Sequence, residues 1–445
     1  MDARLARRKG CYNRSILAGA LLLATGLIAP TAGYAQGIFL PNTGPVNQSM
    51  GGAAVAAPID SAGALNWNPA SITGLKSSEI ALGFGLVLPT TTVSSQAFGL
   101  SGTTNGESGV TPVPTMSFVQ KNNESPWTWG VGIYGIGGFS GNYAASSLAN
   151  PLTANPILTP QSPAGIGVGR VYTHAEIYQV APTIALDVTE KLSVGFAPNL
   201  DLGFIQADPL IFAAPNFPLG AAAPNYGPGT GTRNAFGGGF QIGVYYVTDS
   251  NWRLGFSYKS IQWFEPLRYN SNNQFGQPVL DKVNFDLPQV ISVGTAYTGF
   301  ERWLYALDVR YTDYAHATGF GQSGFNANGS IAGLGWRSIV TVATGLQYEL
   351  TERITVRGGY TFAQNPVPSS QMEFNLGSAL IIQNFLSVGG SFQIRENVAA
   401  NIAYTHGFQN SLTGPFVTPT GSIPATSITS LISADQLSAG LAVKF

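Results

Sequence analysis

Cysteine is almost absent from this chain of 445 residues: there is one, Cys11. It lies ahead of the first apolar run, so it can serve neither as a lipid-anchored N-terminus after that run nor in a disulfide. Charge is scarce as well, with Asp, Glu, Lys and Arg together making 10% of the sequence against about 25% in soluble proteins. The three histidines, His174, His316 and His406, are the only candidates for an imidazole base. Beyond Ile28 no stretch approaches about 18 uninterrupted apolar residues, which excludes helical membrane spans. No metal-ligand spacing or phosphate loop occurs, and Gly165, Gly167 and Gly169 precede no helical pattern, so no cofactor and no metal are implied.

What is present begins with an export signal. Arg4, Arg7, Arg8, Lys9 and Arg14 precede the apolar run Ile16 to Ile28, and Gly33 and Ala35 offer small residues to a signal peptidase. The run is too short, and too soon followed by Pro30, to span a bilayer as an anchor. Residues 1–35 are therefore expected to be cleaved after Ala35. The presequence holds five basic residues against one acid, so its removal takes the net charge from −1 to −5. A chain of that charge is no nucleic-acid binder. A secreted chain without disulfides needs another source of stability, and closing a β-barrel in a bilayer is one.

Alternation supplies the pattern for it. At the C-terminus Leu437, Ala439, Leu441, Val443 and Phe445 share one face, while Gln436, Ser438, Gly440 and Lys444 share the other. The same period predicts strands near 78–90, 112–121, 127–139, 171–188, 191–206, 233–248 and 251–266. A second set is predicted near 281–298, 302–317, 336–350, 353–364, 382–394, 398–409 and 433–445. Tight turns at 188–191, 248–251, 298–301 and 350–353 alternate with long Gly/Asn/Pro/Ser loops, as short periplasmic turns and long outer loops do in bacterial barrels. The fold class is thus all-β, a 14-stranded antiparallel transmembrane β-barrel in the bacterial outer membrane, over residues 78–445.

In this reading Trp303, Tyr305, Leu307, Val309 and Tyr311 face lipid, opposite Arg302, Asp308 and Arg310. Ile354, Val356, Tyr360 and Phe362 likewise oppose Arg353, Thr355 and Arg357. A charge on the lipid face near the midplane costs about 2–4 kcal/mol. Asp308, Arg310 and Arg357 therefore belong in the lumen, either neutralising one another or the plug, or meeting an acidic ligand head.

Residues 36–77 break the barrel pattern. They contain Met50-Gly51-Gly52-Ala53-Ala54 and, further on, Asp60-Ser61-Ala62 and Trp67-Asn68-Pro69-Ala70. Small residues at this density permit close backbone approach, Asp60 or Ser61 can cap a short helix, and Pro69 forces Asn68 out of helical geometry. The segment reads as a compact plug, or hatch, inside the lumen.

Here the sequence resembles the outer-membrane long-chain fatty acid and aromatic hydrocarbon transporters of the FadL/TodX type, through the Met-Gly-Gly-Ala segment, Asp60 and the plug signature Asn68, Pro69 and Ala70. The fourteen strands and the terminal Phe445 support the likeness, and such a terminus resembles the signal read by the barrel assembly machinery. The resemblance implies passive uptake of hydrophobic small molecules, either fatty acids or hydrocarbons. Outer loops capture the cargo, the lumen binds it, and a kinked third strand releases it sideways into outer-membrane lipid. On that basis Gly130, Gly132 and Gly138 of the third strand are candidates for a lateral opening, since strand glycines mark a bulge or a close approach, although glycine is also abundant here. All three are expected to clear the inward face. Leu210, Phe212 and Phe217, in an apolar loop at 207–232, form either a lid or a capture groove. Phe39 and Leu40, near the mature N-terminus, either contact the ligand or pack the plug.

A general porin and an adhesin-type barrel are the alternatives. An enzyme is not expected: the serines lack a partner pattern, and His316 and Asp313, three apart near a strand end, should face opposite ways.

Overall fold

A computed structural model describes residues 37–445 except 123, 151, 218–224, 274 and 276. The expected presequence, residues 1–35, lies outside the described residues.

Fourteen strands form the wall. In chain order they are β1 Glu79–Ala97, β2 Thr111–Lys121, β3 Trp127–Tyr143, β4 Val171–Asp187 and β5 Leu192–Asp208. Next come β6 Gly229–Val247, β7 Trp252–Lys259, β8 Val290–Tyr297, β9 Trp303–Thr312 and β10 Ile339–Glu349. The last are β11 Ile354–Ala363, β12 Asn384–Arg395, β13 Val398–Gly414 and β14 Ser427–Lys444. Each pairs antiparallel with its neighbours, and β1 pairs with both β14 and β2, so the sheet closes on itself. Closure gives every strand a neighbour on both sides, the condition for a sheet to stand in hydrocarbon.

The alternation read from the sequence is the alternation of the wall. Leu437, Leu441 and Phe445 are exposed, and so are Trp303, Val309 and Tyr311, whereas Asp308 and Arg310 are buried. Phe445 donates its backbone N–H to Ser78 O at 3.1 Å and stacks on Phe118, tying the chain end to the start of the barrel.

Strand lengths divide the wall in two. From β7 to β12 the strands run 8–12 residues, close to the 9–11 or so that cross a membrane. By contrast β1, β13, β14 and β3 to β6 run 17–19, and their excess rises at the end opposite the short turns, outside the cell. The expected strands at 251–266 and 281–298 are correspondingly too long. Residues Leu267–Asn272 and Pro278–Val283 pair with each other in a separate two-stranded hairpin. Alternation alone does not distinguish a hairpin in a loop from the wall, and Pro288, which has no N–H to give a ladder, separates the two.

Inside lies the N-terminal segment. It contains α1 Gly44–Ser49, α2 Ser61–Trp67 and a 3-10 helix Pro69–Gly74, nearly all buried. Asp60 caps α2, its carboxylate accepting from Gly63 N at 3.1 Å. Asn68 is extended, with φ −156° and ψ 104°, so the helix stops one residue before Pro69. Helices this short are not stable alone; the wall holds them.

Candidate ligand cavity and lateral opening

The plug signature is a docking joint. The Asn68 side-chain amide donates to Val55 O at 2.8 Å and to Val244 O of β6 at 3.0 Å, while its oxygen accepts from Ala70 N at 3.1 Å. Facing it, Gly195 of β5 and Gly243 of β6 leave no room for a side chain: a Cβ on Gly195 would strike Ala70 N and Pro69 C, and one on Gly243 would strike Asn68 Oδ1. Small residues on the plug meet glycines on the wall, which brings backbone against backbone.

A second joint is ionic. Asp308 accepts from Ala54 N at 2.8 Å and Val55 N at 3.0 Å, and lies 3.1 Å from the Arg310 guanidinium. Arg310 donates to Gly52 O and stacks over Trp67, 3.4 Å from the ring centroid. Arg357 stands apart, bonding Gln347 and Ser391, each at 2.7 Å. It lines a polar cavity of about 340 Å³ at the periplasmic end with Asp60, Glu79 and Lys444.

The start of the described chain is attached to the third strand. Leu40 N donates to Ile136 O at 2.9 Å and Gly138 N to Ile38 O at 3.1 Å, so residues 38–40 bridge to β3 from within. Ile38 N in turn donates to the Tyr314 hydroxyl at 3.0 Å. Tyr314 packs against Phe320 and Trp336, the middle of an aromatic cluster closing the mouth.

At this attachment β3 is irregular. Its pairing with β4 shifts register between Gly135 and Gly137. Gly130 and Gly132 are regular ladder members paired with Val119 and Ser117. There the absent side chains make room: a Cβ on Gly130 would lie 3.3 Å from Leu65 of the plug, and Gly132 lies under the Tyr134 ring. Gly138 does not clear the inward face as expected. It pairs with outward Glu176, because one extra residue in a bulge reverses the parity of everything beyond it.

The same bulge parts β3 from β2. Their ladder ends at Thr115–Tyr134, and contact resumes only where Glu107 N donates to Asn142 O at 2.8 Å and Ser140 Oγ to Ser108 O at 3.0 Å. Between these limits Gly135 to Phe139 face Pro112 and Pro114, which carry no N–H for a ladder. The result is a window in the wall.

An apolar cavity of about 150 Å³ lies at this window. Phe39 and Leu40 line it, with Ile38, Ile177, Leu380, Ile382 and Phe385 from inside the barrel. Pro112, Glu176 and Tyr178, from the outer face of β2 and β4, line it too. Phe39 also lines a small neighbouring cavity of about 30 Å³ beside Arg310 and Lys259. Leu210, Phe212 and Phe217 line neither of these. Leu210 is buried with Ala213, Ala235, Leu267 and Tyr269, Phe212 packs on the lumen core, and Phe217 is exposed. Leu219, in the same apolar loop, lies outside the described residues.

Sequence reading missed Leu380, Ile382 and Phe385, which come from the β11–β12 connection and the start of β12, as well as Glu176 and Tyr178. One signal for the last two was available: Tyr172, His174, Glu176 and Tyr178 form a polar row where β4 should face lipid. The Asp313–His316 separation was also misjudged. These residues flank a 3-10 turn rather than a strand, where positions i and i+3 eclipse, and His316 Nδ1 lies 2.8 Å from Asp313 Oδ1. Ser338 donates to Asp313 at 2.6 Å, so serine and histidine meet the same carboxylate and not each other.

A closed fourteen-strand barrel with an N-terminal plug and a lined cavity defines an outer-membrane transport barrel. The chain belongs to the outer membrane transport protein family OMPP1/FadL/TodX, whose model matches residues 26–414. Outer membrane protein P1 of Haemophilus influenzae is 23% identical, over 89% of this chain and 90% of that protein. Among solved structures, the Pseudomonas putida toluene transporter TodX superposes with a TM-score of 0.65 at 17% identity, covering 91% of this chain and 99% of that one. A Pseudomonas aeruginosa FadL homologue gives 0.68 at 14%, covering 92% and 100%, and the Ralstonia pickettii toluene transporter TbuX gives 0.66 at 18%, covering 91% and 99%. These structures share the fold.

Proposed function

We propose that the protein takes up small hydrophobic molecules passively, by capture at the outer loops, binding beside Phe39 and release through the β2–β3 window into outer-membrane lipid. One observation carries the reading: a single apolar cavity touches residues of both the inner and the outer face of the wall. Straight passage is unfavourable, because the periplasmic end of the lumen holds the polar cavity around Asp60, Glu79 and Arg357, and an apolar solute gains nothing by entering it. The cavity volume of about 150 Å³ matches an engineered apolar cavity that takes up benzene. Two of the solved structures that share this fold are toluene transporters. In this reading residues 36–77 are the plug of a mature chain that begins after residue 35, and the protein carries its cargo without covalent chemistry.

The test narrows the window. A Cβ on Gly135 would lie 3.3 Å from Val113 Cγ1, tight but against a side chain and not backbone, so Gly135→Leu is expected to fold while filling the gap. Toluene uptake by cells expressing the variant is expected to fall severalfold with the folded, heat-modifiable barrel at its normal level. Undiminished uptake would reject the lateral route.

A further inference from the structure

Among the described residues lining the apolar cavity, Glu176 is the one acid, and no lysine, arginine or histidine lines it. The Glu176 carboxylate accepts from the Tyr178 hydroxyl at 2.9 Å and lies 3.1 Å from His174 Nε2. It is on the outer face of β4, paired with Gly138 at the edge of the window, and its side chain is 22% exposed. It lies eleven positions along β4 from Asp187 at the periplasmic end. At about 3.3 Å per residue and a tilt of about 40° this puts it roughly 28 Å up the wall, just past an apolar band of about 25 Å. A carboxylate at that border is tolerated by the bilayer, and cargo leaving through the window passes beside it.

We infer that Glu176 is a charge filter at the lateral exit, one that makes neutral hydrocarbons and uncharged aromatics the cargo and turns away carboxylates such as fatty acid anions. The inference rests on the lateral-release reading and narrows its substrate class. An anionic head at the window meets a like charge between apolar walls, where the repulsion is poorly screened, and finds no counter-cation in the cavity. His174, beside the Glu176 carboxylate, does not line the cavity, and the two cations of the small neighbouring cavity do not offer one. Arg310 is paired with Asp308, and Lys259 donates to Gln179, which itself donates to Asp201 at 2.7 Å. Both face the cavity of about 30 Å³, space for a water but not for a carboxylate and its chain.

Toluene and benzoate separate charge from shape, since both carry the same ring. Initial uptake of each labelled compound is measured in cells that lack general porins and express the wild-type or the Glu176→Gln protein. The wild type is expected to take up toluene and exclude benzoate, and Glu176→Gln to raise the benzoate-to-toluene ratio about tenfold or more, the effect of removing one like charge at close range. An unchanged ratio, with toluene uptake still dependent on the protein, overturns the filter and leaves lateral release standing. Toluene uptake independent of the protein removes both together.

Discussion

Asp308 and Arg310, two positions apart on β9, face the lumen as a buried ion pair that is also the clasp of the plug. The carboxylate binds two plug amides and the guanidinium a plug carbonyl. Removing one partner of such a pair leaves a buried charge uncompensated, at about 3–5 kcal/mol. Asp308→Ala is therefore expected to lower the urea midpoint strongly. Asp308→Leu combined with Arg310→Met should cost less than the two single changes summed, because no lone charge remains.

Tyr314 holds Ile38. In Tyr314→Phe the Ile38 N–H, buried and deprived of its acceptor, costs about 1–3 kcal/mol locally. Hydrogen exchange at residues 38–40 should accelerate by one to two orders of magnitude while the β-strands keep their protection. Equal protection in both proteins would mean that Tyr314 is a packing residue only.

Close approach of plug and wall can be tested at one glycine. Gly195→Ala drives a methyl into Pro69 and Ala70, overpacking that costs about 1–3 kcal/mol, and should expose residues 37–78 to protease. Gly85→Ala, whose added carbon meets nothing nearer than 3.5 Å, serves as the matched control and should leave the plug protected.

The connection between β11 and β12 should loosen with rising pH. Burial pushes the Glu373 carboxyl up to about 7, against a weaker opposing pull from the Val417 N–H that it accepts. Because the folded value is raised, its stabilising contribution is complete below the ordinary carboxyl range near 4.5 and is lost as pH rises through about 7. Amides of the 3-10 helix Glu373–Ser378 should therefore lose exchange protection, relative to the Glu373→Gln protein, as pH rises from about 4.5 through about 7, with no further loss above that, and Glu373→Gln should abolish that dependence.

The barrel was legible in the sequence because each strand states its own faces. Trp303 to Tyr311 alternate on a period of two set by backbone geometry, with no reference to distant residues, and lipid penalises any charge on the wrong side. Asp308 and Arg310 could be placed in the lumen by that rule alone, and Asp60 and Pro69 mark their helix ends through local bonds. Tertiary structure decided the rest. Whether Gly130 or Gly137 interrupts β3 depends on register with β4, and glycine carries no side chain to record a face. Leu210 and Phe385 are equally apolar in the chain, yet one packs into a loop core and the other lines the cavity, because a long loop's path is fixed by what it packs against. The window has no sequence of its own: it exists where Pro112 and Pro114 of one strand come to lie beside the bulge of another.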